Sequence, residues 1–182
     1  YRLYPERFQN KTNGITQRRW LALCNPELSA LVTSLCGSGW QTDLFLIKGL
    51  AQYADDTAVL EQFAAVKREK KQQLCEYIRE KEGVILQSDF LFDVQIKRLH
   101  EYKRNAFSIL DIYFALKDGS LTNWYPTVFF FGAKAAPGYD RAKGIIKYIN
   151  EIAKRVNQDP DTKDRLQVLF VQNYNVSYAE KL

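Results

Sequence analysis

DFLFDVQIKRLHEYKR, residues 89–104, is the stretch whose reading decides the fold. Its first half, Phe90-Leu91-Phe92-Asp93-Val94-Gln95-Ile96, is short, apolar and rich in strand formers. It reads as a buried strand of a parallel sheet. Its second half places Lys97, Arg98, Lys103 and Arg104 within eight residues, with the single histidine of the chain, His100, between them. Ala106, Phe107, Leu110, Tyr113 and Phe114 then set a helical stripe. The order is therefore strand, two cations, helix. The start of a helix carries unpaired backbone N–H groups and the positive end of the dipole, both of which favour an anion. Lys97 and Arg98 would repel that dipole unless a phosphate or carboxylate lay between them. The stretch predicts an anion site at Lys97, Arg98 and Lys103; the plainer alternative is a solvated basic helix start.

Downstream, strand and helix alternate. Pro126-Thr127-Val128-Phe129-Phe130-Phe131 reads as a second buried strand and runs into Gly132-Ala133-Lys134-Ala135-Ala136-Pro137-Gly138. Ala142, Ile145, Ile146, Ile149, Ile152, Ala153 and Val156 recur at helical spacing. Leu166-Gln167-Val168-Leu169-Phe170-Val171 is a third strand, followed by Gln172-Asn173-Tyr174-Asn175 and a helix that Ser177 could cap. Such alternation implies right-handed parallel crossovers in a doubly wound sheet. The expected class is α/β, a partial Rossmann-like parallel sheet.

Upstream, the chain reads as a helical lead-in. Asn25 caps and Pro26 opens a helix with apolar Leu28, Leu31, Val32 and Leu35, which Gly37 closes. Leu44, Ile47, Leu50 and Tyr53 mark a further helix. Asp55 or Asp56 caps a long one that reaches about Lys81. Its ends are apolar (Val59, Leu60, Phe63; Leu74, Tyr77, Ile78) and its middle, residues 67–73, is polar all round, the pattern of a connector between two bodies. The expected division is 1–85, helical lead-in and connector, and 86–182, α/β segment.

Composition narrows the function classes. The chain has 182 residues, 46% hydrophobic and 14% aromatic, enough for a sizeable core. Net charge is +5, but basic and acidic residues interleave, as in Lys67-Arg68-Glu69-Lys70-Lys71, so a solvated face explains them. No nucleic-acid-binding motif is present. Cys24, Cys36 and Cys75 follow no metal-ligand spacing and suit free thiols in a reducing, cytoplasmic setting. The run Val128-Phe129-Phe130-Phe131 is far too short for a membrane span. The chain contains no methionine, even at position 1, as expected of an internal piece of something longer.

In doubly wound sheets ligands bind beyond the carboxyl ends of the strands. Three loops lie there: 97–103 supplies cations, 132–138 is small and glycine-bracketed, and 172–176 offers Asn173, Tyr174 and Asn175 for hydrogen bonding or stacking. The second lacks the G-x-G-x-x-G spacing of a dinucleotide site. His100 at a helix start reads more readily as a packed or capping residue than as a general base. No nucleophile triad, metal cluster or close carboxylate pair can be assembled. Spacing alone stops at an anion-binding α/β domain.

PERFQNKTNGITQRRWLALCNPEL (residues 5–28), LFDVQIKRLHEYKRN (91–105), GAKAAPGYDRAK (132–143) and NYNVSYAEKL (173–182) closely resemble the α-glucan phosphorylases. That family includes the glycogen, starch and maltodextrin phosphorylases. The resemblance runs through the whole chain in the family's order. It implies a two-domain enzyme of the GT-B glycosyltransferase type, a homodimer, with pyridoxal phosphate in the cleft. Such an enzyme cleaves the terminal α-1,4-glucosyl unit of a glucan with inorganic phosphate, giving α-glucose 1-phosphate. Carried over by motif, Lys97 contacts the cofactor phosphate, while Arg98 and Lys103 hold substrate phosphate. Tyr102 and Asn13 hydrogen-bond the glucose, and Trp20 and Tyr174 line the cofactor pocket.

Two departures from the family pattern stand out. The family's cofactor lysine lies in a later motif, E-A-S-G-x-G-N-M-K, before which this chain ends, so the piece by itself is expected to be inactive. Asn175 stands where some relatives carry Arg. A non-catalytic sugar- or phosphate-binding domain on the same fold is the alternative that these residues leave open.

Overall fold

The computed structural model describes residues 3–11, 14–100 and 106–182. The chain forms two compact units, Tyr1–Val66 and Lys67–Leu182.

The first unit is helical. Pro5–Arg7 is a short 3₁₀ turn, and Arg18–Leu23 is a π-helical segment in which Cys24 N–H donates to Arg19 C=O at 3.0 Å. Helix α1, Pro26–Cys36, begins and ends as its sequence dictates. Asn25 Oδ1 accepts from Leu28 N–H at 3.1 Å, and Gly37, at φ 75°, donates back to Thr33 C=O. Val32 and Trp40 are buried, and the Trp40 indole N–H donates to Thr33 Oγ1 at 3.0 Å. Leu44–Tyr53 is a ten-residue 3₁₀ helix. Leu44, Ile47, Leu50 and Tyr53 recur every three residues and are its half-buried side chains. That spacing lines one face at 3.0 residues per turn and would spiral around an α-helix. Helix α2, Thr57–Glu82, is capped by Asp56, whose Oδ1 accepts from the N–H groups of Ala58 and Val59. The two units meet in sequence inside this helix.

The second unit is a parallel three-stranded sheet between two layers of helix. Strands β1 (Leu91–Ile96), β2 (Thr127–Gly132) and β3 (Leu166–Phe170) lie in the order β1-β2-β3. Helices α3 (Ser108–Lys117) and α4 (Asp140–Gln158) follow β1 and β2 in the chain. Both belong to one apolar cluster. There Ile109, Tyr113 and Leu116 meet Ile149, Ile152 and Val156 over Phe129, Phe131, Leu166 and Val168. The opposite face carries Val128, Phe130, Leu169 and Val171 beneath Leu74 and Ile78 of α2 and Tyr178 of the short helix α5, Val176–Ala179. Alternate residues of β2 thus serve opposite cores, as the two-residue period of a strand requires. Every β2 residue is buried.

Several expectations need correction. β1 is an edge strand, not a buried one; Leu91 is 52% exposed. Its apolar run resembles a central strand because β1's inward residues and the Phe90 that precedes it still face a core. Of the expected α3 stripe, Ala106 and Tyr113 are buried and Leu110 packs against the core, and Ile109 and Leu116 complete the buried face, but Phe107 and Phe114 are 44% and 52% exposed. Those two rings rest on Tyr148 and Tyr113, at centroid distances of 5.0 and 5.2 Å, so aromatic partners substitute for burial. Residues 67–73 are not polar all round in their packing. Lys71 is half-buried, donates to the Phe90 C=O and lies 4.5 Å from the Phe92 ring centroid, and burial lowers its pKa. Asn175, not Ser177, caps α5.

One side chain satisfies both backbone groups of Val168 in β3. Asn157 Nδ2 donates to Val168 C=O, and its Oδ1 accepts from Val168 N–H, both at 2.8 Å. On the α3 side, Asp159 accepts from Lys117 Nζ at 2.7 Å and from the Tyr113 hydroxyl, while Asp161 N–H donates to its other oxygen at 3.0 Å. Lys117, then Tyr113, hold its carboxyl down at about 2. The unfolded carboxyl titrates near 3.9, so this contribution to stability is complete above about pH 4 and is lost as pH falls towards about 2. Asp159→Asn is expected to lower the denaturation midpoint at pH 5, with the gap from the parent closing as pH falls; a pH-independent gap would refute the assignment. No helix among the described residues is long and apolar enough to cross a membrane.

Candidate functional site

A cavity of about 880 Å³ opens at the carboxyl ends of the strands. Its lining comes from three consecutive strand ends: Ile96, Lys97, Arg98, Leu99 and His100 after β1; Gly132, Ala133, Lys134, Ala136 and Tyr139 after β2; and Tyr174 after β3. The strand register makes the neighbourhood. Ile96 pairs with Gly132, so the residues that follow each strand emerge side by side.

Lys97, Arg98 and Lys134 are exposed, and no described carboxylate lines the cavity. The arrangement is a wall of positive charge over an apolar floor, suited to a phosphorylated ligand. Lys97 and Arg98 lie in a bend and irregular chain and α3 starts at Ser108; the helix start expected just after the cations falls on residues 101–105, outside the described ones. The cations are those of a strand-end loop, where the carboxyl edge of a parallel sheet places ligands.

Gly132 lies close to its neighbours: a Cβ there would require the end of the Ile96 side chain to shift and would stand 3.6 Å from the Tyr174 ring. The Tyr174 loop is held at several points. Val171 N–H donates to Phe131 C=O at 2.7 Å, Gln172 N–H donates to Glu82 at 3.1 Å, and Asn173 takes φ 46°. Asparagine tolerates that left-handed conformation better than most residues. Asn175 Oδ1 then accepts from Tyr178 N–H at 3.1 Å. Asn175→Ala should cost about 1 kcal/mol of stability, read from urea denaturation, and Asn175→Ser should retain most of it. An unaffected alanine variant would remove the cap from the account.

His100 is half-buried and meets Tyr139 edge to face, with centroids 5.8 Å apart. It is a packed residue of the cavity wall, as its position in sequence anticipated. Lys97, Arg98 and Tyr174 are brought together. Trp20 belongs to the first unit, on the π-helical segment, where it is 47% exposed with the Arg19 guanidinium 5.7 Å from its ring. Asn13, Tyr102 and Lys103 lie outside the described residues.

A family model for carbohydrate phosphorylase matches residues 1–182, the whole chain. The chain belongs to the carbohydrate phosphorylase family. Among the curated relatives of this phosphorylase chain, the glycogen phosphorylase of Bacillus subtilis is 46% identical over 183 residues, covering 99% of the chain and 23% of that protein. That of Synechocystis is 45% identical over 185 residues, covering 100% and 22%. The muscle form of Oryctolagus cuniculus is 44% identical over 185 residues, again covering 100% and 22%. The phosphorylase chain thus spans less than a quarter of the length of these relatives.

Sequence reasoning about the phosphorylase chain missed Lys134 and Tyr139 as lining residues. A signal for Lys134 was present. Aligning the two strands at their last residues, Ile96 and Gly132, sets Lys97-Arg98 beside Ala133-Lys134.

Proposed function

We propose that this chain is the phosphate-gathering part of a glucan phosphorylase that transfers terminal α-1,4-glucosyl units to inorganic phosphate, giving α-glucose 1-phosphate. The observation that supports it is a cavity at the strand ends lined by Lys97, Arg98 and Lys134, in a chain of this family.

The residues suit pyridoxal phosphate. Lys97 and Arg98 meet the charge of a phosphate, and the half-buried Tyr174 ring offers a flat surface to a pyridine. Bound there, the cofactor supplies a phosphate able to exchange a proton with the substrate phosphate. Lys97 holds that cofactor phosphate as a point charge. Arg98 grips the inorganic phosphate, its planar fork matching two oxygens at once. Lys103 adds a second cation to the same anion. Together they offset the repulsion between two phosphates and stabilise the charge that builds in transfer. Carried over from the family motifs, Tyr102 and Asn13 are assigned to the glucosyl unit, and Trp20 and Tyr174 to the cofactor ring. The covalent lysine belongs to the later family motif.

In this reading the partners are an α-1,4-glucan and phosphate, and the parent enzyme is a homodimer. The free thiols of Cys24, Cys36 and Cys75 support a cytoplasmic setting. The test is product identity. Maltodextrin and phosphate incubated with the complete polypeptide should yield glucose 1-phosphate; free glucose formed at the same rate without phosphate would mean hydrolysis and overturn the proposal.

A further inference from the structure

We infer that Lys134 is a further cation of the phosphate site, drawing inorganic phosphate into the cavity that Lys97 and Arg98 line. The inference rests on the phosphorylase reading above. Lys134 is the second residue past the end of β2, in a loop closed by a hydrogen bond of 3.0 Å from Tyr139 N–H to Ala136 C=O. It lines the cavity with Lys97 and Arg98, is exposed, and has no ion-pair partner among the described residues. The acid that opens the next helix does not neutralise it, because Asp140 pairs with Lys143 at 2.7 Å.

Charge balance gives this lysine a task. Two phosphates brought together carry roughly −3 to −4 at neutral pH. Lys97 and Arg98 supply two positive charges in this cavity, and Lys134 makes three. A lysine suits the role because its compact ammonium acts as a point charge on a flexible stem, without needing fixed geometry. Its influence is that of one charge at the cavity wall, about three- to tenfold in phosphate affinity. It is screened by salt, as the exposed position requires.

The test uses the complete polypeptide with cofactor. Lys134→Gln and Lys134→Met should each raise the KM for inorganic phosphate about three- to tenfold. The KM for glucan and kcat should stay within about twofold of the parent. Lys134→Arg should restore the phosphate KM, and added potassium chloride should shrink the gap between parent and variants. Equilibrium dialysis of labelled phosphate should show the same loss without turnover. The Met variant keeps the apolar stem, so a folding defect confined to Gln would not obscure the result. If both neutral variants keep the parental phosphate KM and binding while Arg98→Gln loses them, Lys134 is only a surface residue and the site reading survives. If none of the three alters phosphate use, the reading of the cavity falls as well.

Discussion

Replacing Arg98 with alanine should raise the phosphate concentration needed for half-maximal phosphorolysis by about ten- to a hundredfold, with the fold intact. A hydrogen-bonded contact to a charged group contributes about 1.5–3 kcal/mol, and Arg98 is assigned the grip on the substrate anion. Nothing in the fold depends on its guanidinium filling a core, since Arg98 is exposed in the loop after β1. Arg98→Lys should fall between, keeping the charge and losing the fork. Initial rates against phosphate, with circular dichroism as the folding check, measure this directly. A parental phosphate dependence in Arg98→Ala would sink the assignment.

Phe130→Ala should cost about 3–5 kcal/mol of stability, the range for truncating a fully buried phenylalanine. Phe130 has no exposed surface, sits in the middle of the central strand, and packs 4.9 Å from the Phe92 ring among Leu74, Ile78, Val171 and Tyr178. A cavity there loosens the joint between β2 and α2, and β2 carries Gly132 to Lys134 to the site. Phe114→Ala, on the half-exposed face of α3, is the control and should cost far less. The comparison is read from denaturant midpoints. Equal losses for the two variants would contradict the burial on which the fold description rests.

What was legible in the sequence follows from how much physics each residue carried. The helix α4 was plain, since seven apolar residues at helical spacing admit one face and one face only. β2 and β3 were plain because the short apolar runs 128–131 and 168–171, rich in strand formers and followed by turn residues, suit a covered strand. β1 looked the same, and its place at the sheet edge is decided by pairing, which a run of Phe, Leu and Val does not encode. In α3 the rings of Phe107 and Phe114 widened the predicted stripe beyond the buried face that Ala106 and Tyr113 mark. A large aromatic can lie on a surface against another ring, so it marks the core less sharply than Ile109 does. The three-residue spacing from Leu44 to Tyr53 did encode a 3₁₀ helix, but a general helical reading absorbs it.

The site was half legible. Lys97 and Arg98 stood out as adjacent cations past a strand, and Tyr174 as the aromatic of a strand-ending turn. Lys134 did not stand out, because its loop read as small and glycine-bracketed and its relation to Lys97 exists only through the register of β1 on β2. The helix start expected just after Lys97 and Arg98 falls on residues 101–105, outside the described ones. Lys97, Arg98 and Lys134 lie where the parallel strands end.

Glucose 1-phosphate release from maltodextrin by the complete polypeptide, stripped of cofactor and then assayed with and without added pyridoxal phosphate, tests the central claim most directly. The account predicts release that requires both inorganic phosphate and the cofactor. A folded protein that binds the cofactor and releases nothing would contradict it, leaving a phosphate-binding domain without the chemistry.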